Sequence, residues 1–331
     1  MKKGSTIPKV LMLFSGGLDS TLALKILLDL GLNVEALHST TPFCLCDRCA
    51  VRGVVKRFGI RLHTSVAGQD YLDLLADPPH GYGSQMNPCI DCRIYMFRKA
   101  REVAKRIKAE FIATGEVLDE RPFSQRKKAM LLIEKEAGLE GRVLRPLSAR
   151  LLPETEPERK GLVDREKLFA IRGRRRLPQI GLAEKLNINN YPCPSGGCLL
   201  SDPTFANRLR DFLKHGGKLT LRDVILLKLG RHFRVGESKV IVGRNKEENE
   251  RLLYIAIRSN IPYLETIGYK GPITLLTNSK TRKTIEKAAS ITARYSDAIN
   301  IAQVMYKGDT DMVIEVRRVS DDELVKWRIG S

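Results

Sequence analysis

Apolar and polar positions change rhythm repeatedly along the first half of the chain. Residues 10–14 form an unbroken apolar run too short for a helix, and 21–30 carry the amphipathic spacing of one. Positions 34–38, 61–66, 111–114 and 143–146 read as further strands, and 47–58, 71–76, 90–108 and 124–137 as the helices between them. Strands that alternate with helices predict βαβ units and a mostly parallel, doubly wound α/β sheet covered on both faces. Ligands of such sheets gather at the carboxyl ends of the strands. The segments expected on that edge are the turn at Ser15, residues 43–49, residues 87–92 and Thr114-Gly115-Glu116.

Beyond residue 150 the rhythm weakens. Residues 151–161 are polar and hold two prolines, 165–186 read as a basic helix, and 187–203 have no periodicity. From about residue 219 short strands (233–235, 239–242, 273–276, 311–318) mix with helices (247–259, 280–289), which predicts a small α+β module. The expected division is 1–150 for a nucleotide-binding domain, 151–216 for a connector and 217–331 for the C-terminal domain.

Length and charge narrow the function. A chain of 331 residues is long enough for two or three domains. No apolar run is long enough to cross a bilayer, and Met1-Lys2-Lys3-Gly4-Ser5 is followed by no apolar h-region, so a cytoplasmic location is expected. Lys and Arg number 57 against 38 Asp and Glu, a surplus of 19. The basic residues cluster at 98–108, 126–128, 172–176, 208–218 and 231–239, which points to a polyanion such as RNA; balanced surface ion pairing would not leave such an excess.

Two kinds of motif carry chemistry. Ser15-Gly16-Gly17-Leu18-Asp19-Ser20 joins the first strand to the first helix. Such a turn aims backbone N–H groups, hydroxyls and a helix N-terminus at one point, which suits phosphate; its plainer reading is an ordinary capped turn. Asp19 could hold Mg²⁺ against the phosphate. The second kind is the cysteines: Cys44, Cys46, Cys49, Cys89, Cys92, Cys193 and Cys198. An odd number in a chain of this type argues for metal binding or thiol chemistry over a disulfide framework. Cys89-Ile90-Asp91-Cys92 opens a helix, and Cys198 follows Gly196-Gly197. Cys44, Cys46 and Cys49 could bind zinc with His38 or His63, take part in sulfur delivery, or be inert. The histidines otherwise read as structural, with His38 a candidate lining residue of the nucleotide pocket.

The string Ser-Gly-Gly-Leu-Asp-Ser resembles the PP-loop of the ATP pyrophosphatase family, which implies an adenine nucleotide alpha hydrolase-like (HUP) fold and cleavage of ATP to AMP and pyrophosphate. Followed by Asn87-Pro88-Cys89-x-x-Cys92, Thr114-Gly115 and a late Gly-Gly-Cys198, it resembles the tRNA-uridine 2-sulfurtransferases and the 4-thiouridine synthases over about residues 9 to 205. The resemblance implies tRNA as partner, a sulfur donor (inorganic sulfide or a carrier protein), ATP contacts from Ser15 to Ser20 and Gly115, and catalytic roles for Asp19, Cys89, Cys92 and Cys198. Cys89 stands where persulfide-type relatives commonly carry Asp. Three cysteines suit a 4Fe–4S cluster with one iron left free, as in the iron–sulfur-dependent branch; persulfide chemistry on Cys198 and Cys92, or zinc, are the alternatives, and Cys193 could replace Cys198. Glu116 replaces a common His. Val242-Gly243-Arg244-Asn245-Lys246-Glu247-Glu248-Asn249 resembles the RNA-associated NFACT-R type of domain, with Arg231, Arg234, Lys239, Arg244 and Lys246 as expected phosphate contacts. Arg93, Lys99, Gln125 and Arg126 are weaker candidates for phosphate or RNA. The rival readings are a PP-loop ligase or amidotransferase on a small molecule, a non-catalytic ATP- and RNA-binding protein, and a sulfur-trafficking paralogue.

Overall fold

The computed structural model describes residues 7–45, 48–188, 197–278 and 281–330, with the side chains of 48–50 outside the description. The chain divides into two compact units, Met1–Leu199 and Leu200–Ser331.

In the first unit the order is β1 (Lys9–Leu13), α1 (Leu18–Asp29), β2 (Asn33–Thr40), α2 (Arg48–Arg57), β3 (Leu62–Val66), α3 (Gln69–Ala76), α4 (Cys89–Ile107), β4 (Phe111–Thr114), α5 (Lys127–Ala137), β5 (Val143–Leu144), α6 (Glu156–Arg159) and α7 (Leu177–Lys185). The five strands pair in parallel in the order β3-β2-β1-β4-β5. Strand β1 shows why both faces are covered. Val10, Met12 and Phe14 join the core with Leu22, Leu27 and Val54, whereas Leu11 and Leu13 join the opposite core with Ile94, Phe97 and Ile133. Successive side chains of a strand point to opposite faces, so an apolar run without alternation is satisfied only between two helical layers. Full burial of a leucine such as Leu22 contributes about 1.5–3 kcal/mol. The expected doubly wound α/β fold is therefore what the chain adopts.

One expected element differs. Residues 165–186 are not one helix: a short turn at Arg165–Lys167 gives way to extended chain, and only Leu177–Lys185 is α-helical. The amides of Phe169 and Ile171 donate to the carbonyls of Pro146 and Leu147 at 2.9 and 2.8 Å, and Arg172 bridges Leu118 in parallel. Free backbone groups beyond β5 thus capture this stretch, and Gly173 turns it with φ +91°.

The second unit runs α8 (Pro203–His215), α9 (Leu221–Lys228), β6 (Arg231–Val235), β7 (Ser238–Val242), α10 (Lys246–Ser259), β8 (Tyr263–Thr266), β9 (Thr274–Thr277), α11 (Arg282–Arg294), β10 (Ile301–Lys307), β11 (Met312–Arg317), α12 (Asp321–Trp327) and β12 (Arg328–Ile329). Its seven strands form an antiparallel sheet in the order β11-β10-β8-β9-β7-β6-β12. Helix α11 buries Ile285, Ala288, Ala289, Ile291 and Ala293 with Val240, Leu276 and Val304 of that sheet.

Candidate active site

The carboxyl ends of β1, β2 and β4 lie side by side in the first sheet, and three loops leave from them. After β1, Gly16 takes φ +82°, and a Cβ there would stand 2.8 Å from Val51 Cγ2, so both conformation and space call for glycine. Gly17 caps α1 with no side-chain hydrogen bond to the helix end. The first intrahelical bond, Thr21 N–H to Gly17 O, is 3.0 Å, which leaves the preceding amides without helical acceptors. The Ser20 and Thr21 hydroxyls both donate to Gly17 O at 2.9 Å, and Ser15 Oγ donates to Ser20 Oγ at 3.2 Å. These bonds hold the loop open around a helix N-terminus.

Gly115, at the end of β4, touches this loop from behind. A Cβ on Gly115 would lie 2.6 Å from the backbone N and Cα of Ser20. The glycine is required by the first turn of α1 itself. His38, on β2, is buried with Nδ1 2.9 Å from Phe14 O.

Asp19 faces a group that the motifs did not announce. Arg176 Nη2 stands 3.8 Å from Asp19 Oδ2 and 2.7 Å from Glu120 Oε1. Burial, with Glu120 nearby, pushes the Asp19 carboxyl up to about 6; Arg176 and the Gln179 amide oppose this. Asp19 Oδ1 is buried and accepts no hydrogen bond among the described residues. An orphaned carboxylate oxygen on a phosphate-type loop suits a divalent cation. Arg176 falls in a basic cluster visible in the sequence, but its partners depend on the extended stretch before α7.

The thiols gather on the neighbouring loops. Cys89 and Cys92 occupy the first turn of α4, whose N-cap, Pro88, makes no side-chain bond. Asn87 Nδ2 donates to Cys89 Sγ at 3.1 Å. Cys198 returns to the edge by pairing antiparallel with Cys44, just after β2. Tyr71 of α3 sits among them, 1% exposed, its ring against Tyr95 (centroids 5.3 Å) and Phe43 (6.3 Å). Its hydroxyl is hydrogen-bonded to Cys92, and burial together with Cys92, Cys198 and Cys44 raises it well above the ordinary phenol range. Burial also pushes the Cys92 thiol up to about 11, against the Tyr71 hydrogen bond and Arg93. Cys92, Cys198 and Cys44 thus lie around Tyr71, and Cys89 stands in the same helical turn as Cys92. Among the described residues no three Cys, His, Asp or Glu side chains converge closely enough for a single metal ion. Cys46, the Cys49 side chain and Cys193 lie outside the described residues, and with them the zinc reading of the first cysteine group.

Several weaker candidates are engaged elsewhere. Arg93 Nε is 3.4 Å from Glu116 Oε1, and Lys99 pairs with Asp70 at 3.5 Å. Buried Arg145 binds Glu116 at 3.1 Å and also binds Glu134. Gln125 is buried, and Arg126 is the N-cap of α5. The glycine- and proline-rich stretch 77–88 is tied down: His80 N–H and Nδ1 meet the Asp91 carboxylate at 3.1 and 2.8 Å, and Tyr82 Oη donates to Leu75 O at 2.7 Å.

In the second unit, Asn245 caps α10 by accepting the Glu248 amide at 2.9 Å. A Cβ on Gly243 would lie 2.0 Å from Asn249 Oδ1, which accepts the Ile273 amide at 3.1 Å. The Gly-Arg-Asn pattern therefore builds the β7–α10 junction. The expected phosphate contacts divide. Lys246 is exposed, and Arg244 pairs with Glu248. Arg231 stacks on Tyr295 at 4.6 Å. Lys239 is a correction: it is 4% exposed and its Nζ is 3.2 Å from Asp211, which Arg234 also binds, so it is not a surface cation.

Among the described residues no helix is long and apolar enough to cross a membrane. Residues 5–150 match the family described as thiamine biosynthesis protein (ThiI), and residues 230–328 match the NFACT protein RNA binding domain. The chain is 31% identical over 138 residues to the tRNA-specific 2-thiouridylase MnmA of Marinobacter nauticus, a match covering 38% of this chain and 35% of that one. The corresponding enzyme of Acinetobacter baylyi is 32% identical over 120 residues, 32% of each chain. The chain thus spans about a third of the length of these relatives. Solved structures similar in part include a 4-thiouridine synthetase–RNA complex with bound ATP (22% identity, TM-score 0.34, 56% of this chain and 54% of that one). Another is the U34-tRNA thiolase NcsA of Methanococcus maripaludis with its [4Fe-4S] cluster (20% identity, TM-score 0.32, 58% and 61%). The resemblance read from the motifs is borne out in the two segments that the family models match.

Proposed function

We propose that this chain is an ATP-dependent tRNA sulfurtransferase that replaces a uridine carbonyl oxygen with sulfur. The observation that carries this reading is the return of Cys198 to the edge where Cys89, Cys92 and the Ser15–Ser20 loop already stand. A phosphate cradle alone would serve any adenylating enzyme. Thiols from separate stretches of chain beside it are what a sulfur transfer needs.

ATP would lie with its phosphates on the amides and hydroxyls of Ser15 to Ser20, and Asp19 would hold Mg²⁺ beside them. The uridine carbonyl oxygen attacks the α-phosphorus, the bond to the β-phosphate oxygen breaks, pyrophosphate leaves, and the adjacent ring nitrogen releases its proton. The O-adenylate makes the ring carbon electrophilic. Hydrosulfide sulfur adds there, the carbon–oxygen bond breaks, AMP leaves with the oxygen, and the sulfhydryl proton passes to the ring nitrogen. The target base must leave its stack to reach the edge. The RNA binding domain match at 230–328 supports tRNA as the substrate class.

The thiol set suits a 4Fe–4S cluster held by Cys89, Cys92 and Cys198. A thiol raised to about 11 is a poor free nucleophile at neutral pH, whereas coordination deprotonates it outright. Such a cluster would supply an iron able to carry the sulfur to be transferred. Asn87, donating to Cys89, stabilises the thiolate form.

The test is nucleoside mass spectrometry of tRNA from a strain lacking the gene, complemented by wild-type, Cys92→Ser or Cys198→Ser chains. A missing thiouridine restored only by wild type is expected. Unchanged tRNA in the deletion strain overturns the reading. Activity on a small molecule that survives Cys92→Ser would establish the ligase alternative.

A further inference from the structure

We propose that Cys44 and Cys198 are a redox pair, joined by an oxidant of the peroxide class in a reversible disulfide that withdraws Cys198 from the sulfur centre. The pairing rests on backbone geometry alone. Its consequence for activity rests on the sulfurtransferase reading above.

The register carries it. Leu45 N–H donates to Gly197 O at 3.1 Å and Leu199 N–H to Phe43 O at 2.9 Å. Cys44 and Cys198 lie between these two bonds, the arrangement of a non-hydrogen-bonded antiparallel pair. In such a pair the Cα atoms are about 4.5 Å apart and the side chains leave from one face. A disulfide spans Cα separations of about 4.4–6.8 Å, so closure here needs side-chain rotation and no movement of the backbone. Both residues are thiols in this structure.

Access divides the roles. Cys198 is exposed and Cys44 is half-buried. The Thr41 amide holds the Cys44 sulfur at 3.3 Å, with the Thr41 hydroxyl 3.4 Å from it. Cys198 is therefore the sulfur that meets an oxidant, and Cys44 the one held beside it. The Cys198 thiolate attacks one peroxide oxygen, the oxygen–oxygen bond breaks, hydroxide leaves, and Cys198 becomes a sulfenic acid. The Cys44 thiolate then attacks the Cys198 sulfur, the sulfur–oxygen bond breaks, and a second hydroxide leaves. The two thiolates together lose the two electrons that the peroxide gains. Exposed disulfides are the labile ones, so a dithiol reductant returns both residues to thiols and leaves as its own disulfide. Without a neighbouring thiol the sulfenic acid is oxidised by further peroxide to sulfinic acid, which thiols do not reduce. Cys44 thus preserves the sulfur that the transfer reaction needs.

The experiment treats the full chain with hydrogen peroxide before iron is loaded, as wild type, Cys44→Ser and Cys92→Ser. One portion is alkylated, digested without reductant and read by mass spectrometry. A second is reduced with dithiothreitol, loaded with iron and sulfide, and assayed for thiolation of tRNA. Wild type and Cys92→Ser should both yield a peptide linking Cys44 to Cys198, and wild type should regain its thiolation activity on reduction. Cys44→Ser should thiolate tRNA as wild type does before treatment, yet lose that activity to peroxide for good, with Cys198 recovered as sulfinic acid. A wild-type chain without the linked peptide, or with Cys198 linked to a different cysteine, overturns the pairing. Recovery of treated Cys44→Ser to the wild-type extent overturns the protective role. The linked peptide is read without any assay of activity, so the pairing and the sulfurtransferase reading fail separately.

Discussion

Arg93, the residue after Cys92, meets Glu116, the residue after Gly115, at 3.4 Å. One contact therefore links the helix that presents Cys89 and Cys92 to the strand end that backs the Ser15–Ser20 loop. Glu116 is shared with Arg145, which is buried and also bound to Glu134. Replacing Glu116 with Gln leaves Arg145 with one carboxylate in a dry site. A broken buried pair costs about 3–5 kcal/mol. Denaturant unfolding of the variant should show a loss of that order, and a change within error of zero would mean the network is dispensable.

Gly115→Ala places a methyl group 2.6 Å from the backbone of Ser20. Backbone cannot yield as a flexible side chain does, so the start of α1 must shift. ATP binding, measured by equilibrium dialysis, should weaken at least about tenfold, roughly 1.4 kcal/mol. Unaltered affinity would show that the loop tolerates displacement.

The Asp19 carboxyl, at about 6 in the folded chain against an ordinary 3.8, has a raised affinity for its proton. Between those values the folded protein holds a proton that the unfolded chain releases. Stability from this group is therefore full below about pH 4 and is lost as pH rises through 6. Asp19→Asn removes the buried charge. Its Tm at pH 7.5 should exceed wild type, while Mg²⁺-dependent AMP formation falls by about a hundredfold or more, the scale on which misplaced reacting groups slow a reaction. An Asn variant with full activity would dismiss the cation role.

His80 is raised above its ordinary value by the Asp91 carboxylate, with Glu136 adding to it. The charged pair is complete at low pH and lost as pH rises through the raised value. Hydrogen exchange in residues 77–88, which include the His80 and Tyr82 tethers, should therefore speed up between pH 6 and pH 9 beyond the intrinsic change. His80→Gln should remove that excess, and an excess that persists would place the titrating group elsewhere.

Local chemistry was legible in the sequence, and long-range pairing was not. The Ser15–Ser20 loop could be read because a strand, two glycines and a helix start are contiguous. Cys89 and Cys92 could be read for the same reason. Arg176 and Glu120 could not, because their meeting depends on residues 168–172 lying extended beside Pro146 and Leu147, where amphipathic spacing suggested a helix. The Cys44–Cys198 register is likewise set by chain that returns from far along the sequence. Strand β10 was missed although a signal existed: Ala302, Val304 and Tyr306 are buried in alternation with more open positions, the period of a one-sided strand. Lys239 misled because charge suggests solvent, and only the packed structure supplies its partner, Asp211.

That partnership bears on how tightly this protein can grip a polyanion. Arg145, Arg176, Arg234 and Lys239 are each committed to internal carboxylates. Cations so occupied release no condensed ions from a nucleic acid. The steepness with which association falls as salt is added will count only cations that meet phosphate, and these four are not available to it among the 57 lysines and arginines.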